Sequence, residues 1–361
     1  MPDFNREMLT LAREYRSHTQ KELAGIASIS QAEISKFETG IKTPTETQAH
    51  MLASALRFPL DFFYVSDAVR DFGSGCVYNR RRKTASETKI KQLLAEVNIR
   101  RMQLKRLLSA VESCAQFSFE PLDLDEFQGN PANVAKAQRA IWKLPPGPVQ
   151  NVVNVIENAG GIIVSSDFGT DKIDALSQWL PGMAPIFLVN KRIPTDKLRW
   201  TLAHEIGHII MHRFPTDRME TEADQFAAEF LLPERDVKTS LYNLTLPKLA
   251  SLKPYWRVAM SALLRRASDL GTINTRTKSY LWMQMGQRGY RTHEPIDIPP
   301  EKPTILNELF AVHKETLGFG VRELAKMMMM WESELVDDYS DVVDGTSRRI
   351  HAKTALRLVE L

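Results

Sequence analysis

The stretch Thr201–Arg213 constrains the fold of this chain more than any other, because it contains the pattern H-E-x-x-H. His204 and His208 are four residues apart, so on a helix both side chains project from one face. Two imidazoles placed in this way can bind one Zn²⁺ ion, each at about 2.0–2.1 Å. Glu205 lies about 100° further round the helix, where its carboxylate can take a proton from an attacking water. The flanking residues are apolar and predict a buried helix: Leu202, Ala203, Ile206, Ile209, Ile210 and Met211.

A catalytic zinc ion normally has three protein ligands and one position for water, so a third ligand is expected. Residues Thr221–Pro233 predict a second helix with one apolar face and a stop at proline. On this helix Glu222 is the predicted third ligand. His212 continues the histidine stripe, but as a fourth ligand it would close the site, so we predict a supporting role for it. Three other carboxylates are alternatives, each expected to be solvated or to support a ligand: Glu220, Asp224 and Glu229.

Three short apolar runs precede the H-E-x-x-H helix: Gly161–Ser165, Ala175–Leu180 and Pro185–Asn190. Their β-branched and aromatic residues, separated by turn residues, predict a small antiparallel three-stranded sheet. A helix, three strands and two further helices follow one another in the order of a zincin-like core. The fold class expected for the chain is therefore α+β and mostly helical.

The N-terminal residues Arg6–Tyr64 predict five short helices. Thr19 and Ser30 are expected N-cap residues, and Glu22 stands at the capping-box position after Thr19. Gly40 follows the third helix, where a left-handed C-cap is expected. These signals predict a helical bundle.

This bundle resembles the helix-turn-helix domain of XRE-type (lambda-repressor-like) regulators. The resemblance rests on Thr-Gln-x-x-Leu-Ala from Thr19 and Ser-Gln-x-x-Ile-Ser-x-x-Glu-x-Gly from Ser30. It implies that Ser30–Glu38 is a recognition helix that enters the major groove of double-stranded DNA. The residues implied at the DNA interface are Gln20, Ser30, Gln31, Glu33, Ser35, Lys36 and Lys42.

The chemistry of these side chains suits the implied role. Glutamine can read adenine through two hydrogen bonds, and Lys36 and Lys42 suit phosphate or guanine. Gln20 at a helix start can hold a phosphate, whereas Glu33 repels phosphate. Such modules gain affinity by binding two half-sites, so we expect a homodimer on a DNA operator. A bundle used for protein contact is the alternative.

The central region resembles the ImmA/IrrE (M78) zinc metallopeptidases over residues 135–240. The resemblance rests on Ala-His-Glu-Ile-Gly-His at 203–208 and Glu-Ala-Asp-Gln-Phe-Ala-Ala-Glu-Phe-Leu-Leu-Pro at 222–233. It implies that His204, His208 and Glu222 bind Zn²⁺ and that Glu205 is the general base. It also implies a protein substrate, because members of this family are similar in cleaving, or otherwise relieving, helix-turn-helix repressors in stress responses and mobile elements.

The function predicted from both resemblances is a regulatory zinc endopeptidase with a DNA-binding domain. One alternative is an XRE-family regulator whose zincin-like domain is a non-catalytic sensor or structural module. Another is one component of a toxin–antitoxin or phage-defence pair. A metal-filled site with three protein ligands and an open position for water favours the enzyme, and an empty site or one with four ligands favours the sensor.

The 361-residue chain is predicted to have four parts. They are the helix-turn-helix domain (1–70), a connector (71–130), the zincin-like core (131–240) and a helical C-terminal region (241–361). The connector contains the basic run Asn79–Lys83 and an amphipathic helix over Thr88–Ala110. In the last part, Val258–Ala267 is helix-turn-helix-like, and packing against the core is the favoured interpretation.

Charge and composition agree with these functions. Residues 1–110 carry 18 Lys and Arg against 12 Asp and Glu, a net charge of +6, whereas the whole chain is at +3. A basic N-terminal third suits a nucleic-acid partner. No apolar run approaches the length of about 18 residues that a membrane span needs, and no secretory signal is recognised. The two cysteines suit a reducing compartment, so a cytoplasmic location without a membrane partner is expected.

Overall fold

The computed structural model describes residues 3–69, 86–113, 115–343 and 356–358. The basic run at 79–83 and both cysteines lie outside the described residues. The helices up to residue 211 are α1 (Arg6–Tyr15), α2 (Gln20–Ala27), α3 (Gln31–Thr39), α4 (Glu46–Leu56), α5 (Glu87–Leu107), α6 (Pro131–Ile141), α7 (Val152–Asn158) and α8 (Thr195–Met211). Those after it are α9 (Met219–Leu231), α10 (Glu234–Val237), α11 (Leu246–Trp256), α12 (Met260–Asp269), α13 (Thr275–Gln287), α14 (Ile305–Ala311), α15 (Val321–Met327) and α16 (Glu332–Val343). The strands are β1 (Val111–Ser113), β2 (Ile162–Ser166), β3 (Ala175–Gln178), β4 (Ile186–Asn190) and β5 (Leu356–Leu358).

The described residues divide into two compact units. Residues 3–69, 86–113, 304–343 and 356–358 form the first unit, and residues 115–303 form the second. The second unit is therefore inserted into the sequence of the first. This grouping differs from the four consecutive parts predicted from the sequence, because α5 and α14–α16 belong to the same unit as the N-terminal helices. None of the described helices is long and apolar enough to cross a membrane.

Local capping explains where the N-terminal helices begin and end. Thr19 accepts from the backbone N–H of Glu22, whose side chain accepts in return from the backbone of Thr19, so the predicted capping box is confirmed. Ser30 caps α3, and Gly40 ends it at a φ of +77°. The predicted fifth helix is a short 3₁₀ helix over Leu60–Tyr64.

The core of the first unit extends beyond the N-terminal bundle. Its central side chains are fully buried aromatic and aliphatic residues of α1–α4 and the 3₁₀ helix, and Ile99, Met102 and Met329 pack in the same cluster. Burial of each such side chain contributes about 1.5–3 kcal/mol. Polar contacts join the same segments: Arg100 on α5 donates to the Tyr339 hydroxyl and to Asp338 on α16, at 2.6 Å each. Residues far apart in the sequence thus complete one core.

The sheet of the second unit is mixed, so the prediction of an antiparallel sheet is corrected. The strand order is β2-β4-β3, with β2 parallel and β3 antiparallel to β4. The predicted turns reverse the chain between successive strands, as expected. However, β4 lies between β2 and β3, and two reversals make it parallel to β2. Turn residues predict the reversals, but they carry no information on strand order.

Two features hold α8 in place against the neighbouring helices. At its C-terminal end, Gly207 faces Phe226 of α9, and a Cβ added at Gly207 would lie 3.1 Å from the Phe226 ring. At its N-terminal end, the fully buried Arg199 forms an ion pair with Glu301. The other carboxylate oxygen of Glu301 accepts from the backbone N–H of Val152 at the start of α7. Since a buried charge is costly without its partner, this pair ties α7 and α8 together.

The helices after α10 complete the same core. Leu263 and Leu264 of α12 are buried in the cluster that contains the apolar residues of α8 and α9. The favoured interpretation of the helix-turn-helix-like segment, packing against the core, is therefore confirmed.

We predict that Arg100→Met destabilises the first unit by about 1.5–3 kcal/mol. The substitution removes charged hydrogen bonds to Asp338 and Tyr339 while retaining most of the side-chain volume. Urea unfolding followed by circular dichroism measures the loss. Arg322→Met, at an exposed position of α15, is the control and should leave the free energy of unfolding unchanged. Equal stability of the two variants would contradict the prediction.

Candidate metal centre and DNA-contacting helix

The two histidines of H-E-x-x-H face one point in the second unit. Helix α8 places the Nε2 atoms of His204 and His208 2.9 Å apart. Both side chains are buried, and burial lowers the pKa of His208 below its ordinary value. A neutral imidazole is the form that binds a metal. The pair therefore offers two nitrogen ligands on the buried face of α8.

The carboxylate that joins this pair belongs to Glu220, in the first turn of α9. Its Oε1 lies 3.4 Å from Nε2 of His208, and its Oε2 lies 3.6 Å from Nε2 of His204. Burial raises the pKa of Glu220, but hydrogen bonds with the two histidines outweigh it and leave the pKa well below its usual range. The ligand atoms of the three residues all lie within 4.8 Å of one another. Two imidazoles and one carboxylate form a donor set that fits catalytic zinc.

Glu222, the third ligand predicted from the sequence, has a different partner. Its Oε2 lies 3.1 Å from Nε2 of His212. The position beside His204 and His208, where Glu222 was expected, is occupied by Glu220. The reason is geometric: residues two apart on a helix point about 200° apart, so only one of the two carboxylates can face His204 and His208. The sequence pattern places both in the first turn of α9, and the packing of that helix selects between them.

The other predicted alternatives support the site or the fold. Asp224 Oδ1 lies 3.0 Å from Nδ1 of His204, and its Oδ2 accepts from Arg265 at 3.0 Å. Glu229 forms a buried ion pair with Arg266 of α12. Asp224 therefore contacts a candidate metal ligand directly, and Glu229 contributes to packing between α9 and α12.

His212 caps the C-terminal end of α8 and contacts His208. The two Nδ1 atoms are 3.0 Å apart, and the backbone of His212 is extended rather than helical. Burial, together with the neighbouring His208 and His204, lowers the pKa of His212 to about 3. Its ring thus lies between His208 and Glu222, outside the cluster of His204, His208 and Glu220.

Glu205 lies beside the cluster and is held by a residue that sequence reasoning missed. Ser177 of β3 donates a hydrogen bond from Oγ to Glu205 Oε2 at 2.6 Å, and both side chains are fully buried. Ser177 and its neighbour Gln178 are the polar residues of a run that is otherwise apolar, and a polar residue in a buried strand was the available signal. It remained undetected because the partner lies 28 positions away in the sequence.

The predicted recognition helix presents its polar face to solvent. Ile34 and Phe37 of this helix are buried. Gln31 is exposed, and its amide donates to the side-chain oxygen of Gln20 at 3.3 Å, so the starts of α3 and α2 are linked. The remaining predicted contact residues are exposed (Ser30, Lys36 and Lys42) or partly buried (Gln20, Glu33 and Ser35).

The charge of Glu33 is largely compensated within the helix-turn-helix unit. Its Oε1 accepts from Lys42 Nζ at 2.7 Å, and its Oε2 accepts from the Ser30 hydroxyl at 3.1 Å. The hydrogen bond from Lys42 is the main cause of the lowered pKa of Glu33, followed by those from Ser30 and Gln48. The repulsion of phosphate expected from Glu33 is therefore balanced by Lys42 beside it.

Two family models match the chain. Residues 10–63 match the helix-turn-helix model, and residues 156–268 match the model of the IrrE N-terminal-like domain of the M78 peptidases. Comparisons with curated proteins and with solved structures gave no significant match. The fusion expected from the sequence is confirmed: the chain combines an XRE-type helix-turn-helix domain with an M78 peptidase-like domain. The second match contains every residue of the metal cluster and extends into α12.

We predict that Glu220→Ala weakens zinc binding more than Glu222→Ala. The first substitution removes a carboxylate that faces both histidine Nε2 atoms, and the second removes one that contacts only His212 among the site histidines. Titration of the full chain against a chromophoric chelator gives the zinc dissociation constant of each variant. The order would be reversed if Glu222 were the ligand.

Proposed function

We propose that this chain is a DNA-binding regulator whose peptidase-like domain hydrolyses a peptide bond in a protein partner with the help of zinc. The proposed ligands are His204, His208 and Glu220, and the proposed general base is Glu205. The observation that carries the proposal is the convergence of these ligand atoms next to a glutamate whose carboxylate is held by Ser177. The M78 match supports peptide hydrolysis as the reaction class.

Each side chain has a distinct part in the proposed reaction. His204, His208 and Glu220 would hold the zinc ion, which would supply a Lewis acid able to polarise a carbonyl and lower the pKa of water to about 7. Glu205 takes the proton of the attacking water and returns it to the leaving amine. Ser177 holds the Glu205 carboxylate in one orientation through its hydrogen bond to Oε2.

The proposed DNA-binding function belongs to α3 and the start of α2. Gln31 is exposed at the first position of α3, where its amide can pair with adenine in the major groove. Lys36 and Lys42 contact phosphates, and Gln20 positions Gln31 while lying at a helix start that suits a phosphate. We propose a homodimer on an operator with two half-sites, since one such module binds weakly.

The protein substrate that we propose is a helix-turn-helix repressor. The proposal rests on the family resemblance and on the presence of a DNA-binding domain in the same chain. A peptidase tethered to an operator would meet a repressor at high local concentration if both bind neighbouring sites. Cleavage of that repressor would then change transcription at the same operator.

A non-catalytic sensor is the second candidate function. It is favoured by one observation: the side chains of Glu205 and His208 are both 0 % exposed. A substrate can reach the base only if the chain around the site rearranges, whereas a metal ion needs a much smaller path. The sensor would bind zinc and alter DNA affinity without cleaving a partner.

We predict that Glu205→Gln binds zinc like the wild type and loses cleavage by about 10²–10⁴-fold, which is the usual contribution of a general base. Metal analysis gives the zinc content, and mass spectrometry detects a discrete cut in candidate repressors, including the chain's own helix-turn-helix domain. A variant that cleaves as fast as the wild type would contradict the mechanism. Zinc binding without any cleavage by the wild type would favour the sensor.

We predict that Gln31→Ala and Lys36→Ala weaken DNA binding in different ways. Loss of the base contact by Gln31 should reduce discrimination between operator and random DNA by about 1–3 kcal/mol. Loss of the phosphate contact by Lys36 should reduce affinity for all sequences and lower the salt slope by about 1. Fluorescence anisotropy at several salt concentrations measures both effects on an operator selected from a random library. Lys105→Ala on α5 is the control, and a loss equal to that of Lys36→Ala would argue against the assignment.

A further inference from the structure

A chain of contacts leads from His208 to a carboxylate that the proposed reaction does not use. Nδ1 of His208 lies 3.0 Å from Nδ1 of His212, and Nε2 of His212 lies 3.1 Å from Oε2 of Glu222. Both histidines are buried, and the Glu222 side chain is only 12 % exposed. Water therefore competes little for these hydrogen bonds. The other oxygen of Glu222, Oε1, lies 3.6 Å from Nε of Arg218, whose side chain is exposed.

The chemistry of the groups allows one arrangement of protons in this chain. A carboxylate can only accept, so Nε2 of His212 carries the hydrogen and donates to Glu222. In a neutral imidazole the other nitrogen is then an acceptor, and Nδ1 of His212 must receive a hydrogen from Nδ1 of His208. The lone pair of His208 consequently resides on Nε2, the atom that faces His204 and Glu220.

His204 has a different support. Its Nδ1 contacts Asp224 directly at 3.0 Å, and Asp224 is itself paired with Arg265. The side chains of Asp224 and Arg265 are 27 % and 51 % exposed, so solvent screens this arm more than the buried chain behind His208. His204 and His208 are therefore held by different groups. The groups that hold His204, Asp224 and Arg265, are more exposed than those that hold His208.

The end of α8 explains why His212 can serve His208. The backbone of His212 has φ −111° and ψ 100°, so the helix stops at this residue. In a continuous helix, His212 would lie one turn further along the face of His204 and His208. The break turns its ring towards Nδ1 of His208 and Glu222, on the side away from Nε2 of His208.

We infer that His212 and Glu222 are positioning residues for the metal centre, acting in series to hold His208 in the tautomer that presents Nε2 to zinc. This inference rests on the proposed metal site, and it gives Glu222 a role that differs from direct coordination. Neither residue contributes an atom to the cluster of His204, His208 and Glu220, yet removal of either should weaken zinc binding. Loss of such a support typically costs about 10–100-fold in metal affinity.

The test compares zinc dissociation constants of the full chain and its variants by competition with a chromophoric chelator. His212→Ala and Glu222→Ala should each weaken binding by about 10–100-fold. The variant with both substitutions should bind zinc no more weakly than the weaker-binding of the two single variants, because both residues act through one chain of contacts. Asp224→Ala is the matched control on the other arm, and its effect should add to that of His212→Ala.

A second variant separates positioning from a general loss of structure. In His212→Asn, the side-chain oxygen stands where Nδ1 of histidine stood, so it can still accept from His208. It should recover most of the affinity that His212→Ala loses. Cobalt-substituted His212→Ala should keep the absorption spectrum of the cobalt-substituted wild type, since the ligands are unchanged, whereas Glu220→Ala should alter it.

The outcomes distinguish this inference from the proposed function. If the wild type binds no zinc, both are overturned. If His204→Ala abolishes binding while His212→Ala and Glu222→Ala leave it unchanged, the site stands and the inference is overturned. Additive losses in the double variant, or a changed cobalt spectrum in His212→Ala, would also overturn it, because they would indicate independent roles or direct coordination.

Discussion

The packing of α9 against α8 is the constraint on which the candidate metal centre depends. Gly207 allows the Phe226 ring to lie against the backbone of α8, since any larger residue would meet that ring at 3.1 Å. This contact fixes the rotation of α9 about its axis. A different rotation would carry Glu220 away from the two histidines and bring another carboxylate towards them. The glycine inside H-E-x-x-H thus affects, through packing alone, which carboxylate lies beside the two histidines.

Two buried ion pairs lie behind the helices of the centre. Arg199 pairs with Glu301 behind α8, and Arg266 pairs with Glu229 behind α9. Such pairs contribute little net stability when formed but are costly to break, so they restrict how the two helices can move. Closer to the centre, Ser177 holds the proposed base. Well-ordered supports of this kind are what a metal-dependent reaction requires, because small displacements of reacting groups reduce the rate strongly.

The unit that contains the helix-turn-helix is discontinuous in sequence. Helix α5 and the residues from 304 onwards complete its core, although the inserted unit of residues 115–303 separates them. A cut within the inserted unit would leave both halves of the first unit joined by packing and by the contacts of Arg100 with Asp338 and Tyr339. Removal of the C-terminal segment would instead expose part of that core.

Short-range sequence patterns were sufficient to predict many of the helix ends, buried positions and secondary-structure elements of this protein. The capping box at Thr19 and Glu22, the C-cap at Gly40 and the buried positions Ile34 and Phe37 follow from spacings of a few residues. The same is true of the H-E-x-x-H helix and of the three strands, whose residue types and turns are local signals. Both family resemblances rest on such local motifs, and both are confirmed.

Only the tertiary structure decided the strand order, the placement of Glu220 rather than Glu222 beside His204 and His208, and the contact of Ser177 with Glu205. Each depends on contacts between residues distant in the chain, and burial against other elements sets these contacts. A helical period tells which residues share a face, but not which face meets a partner. The amino-acid sequence therefore identified the chemistry available to this protein, and the packing of its helices selected the atoms that come together.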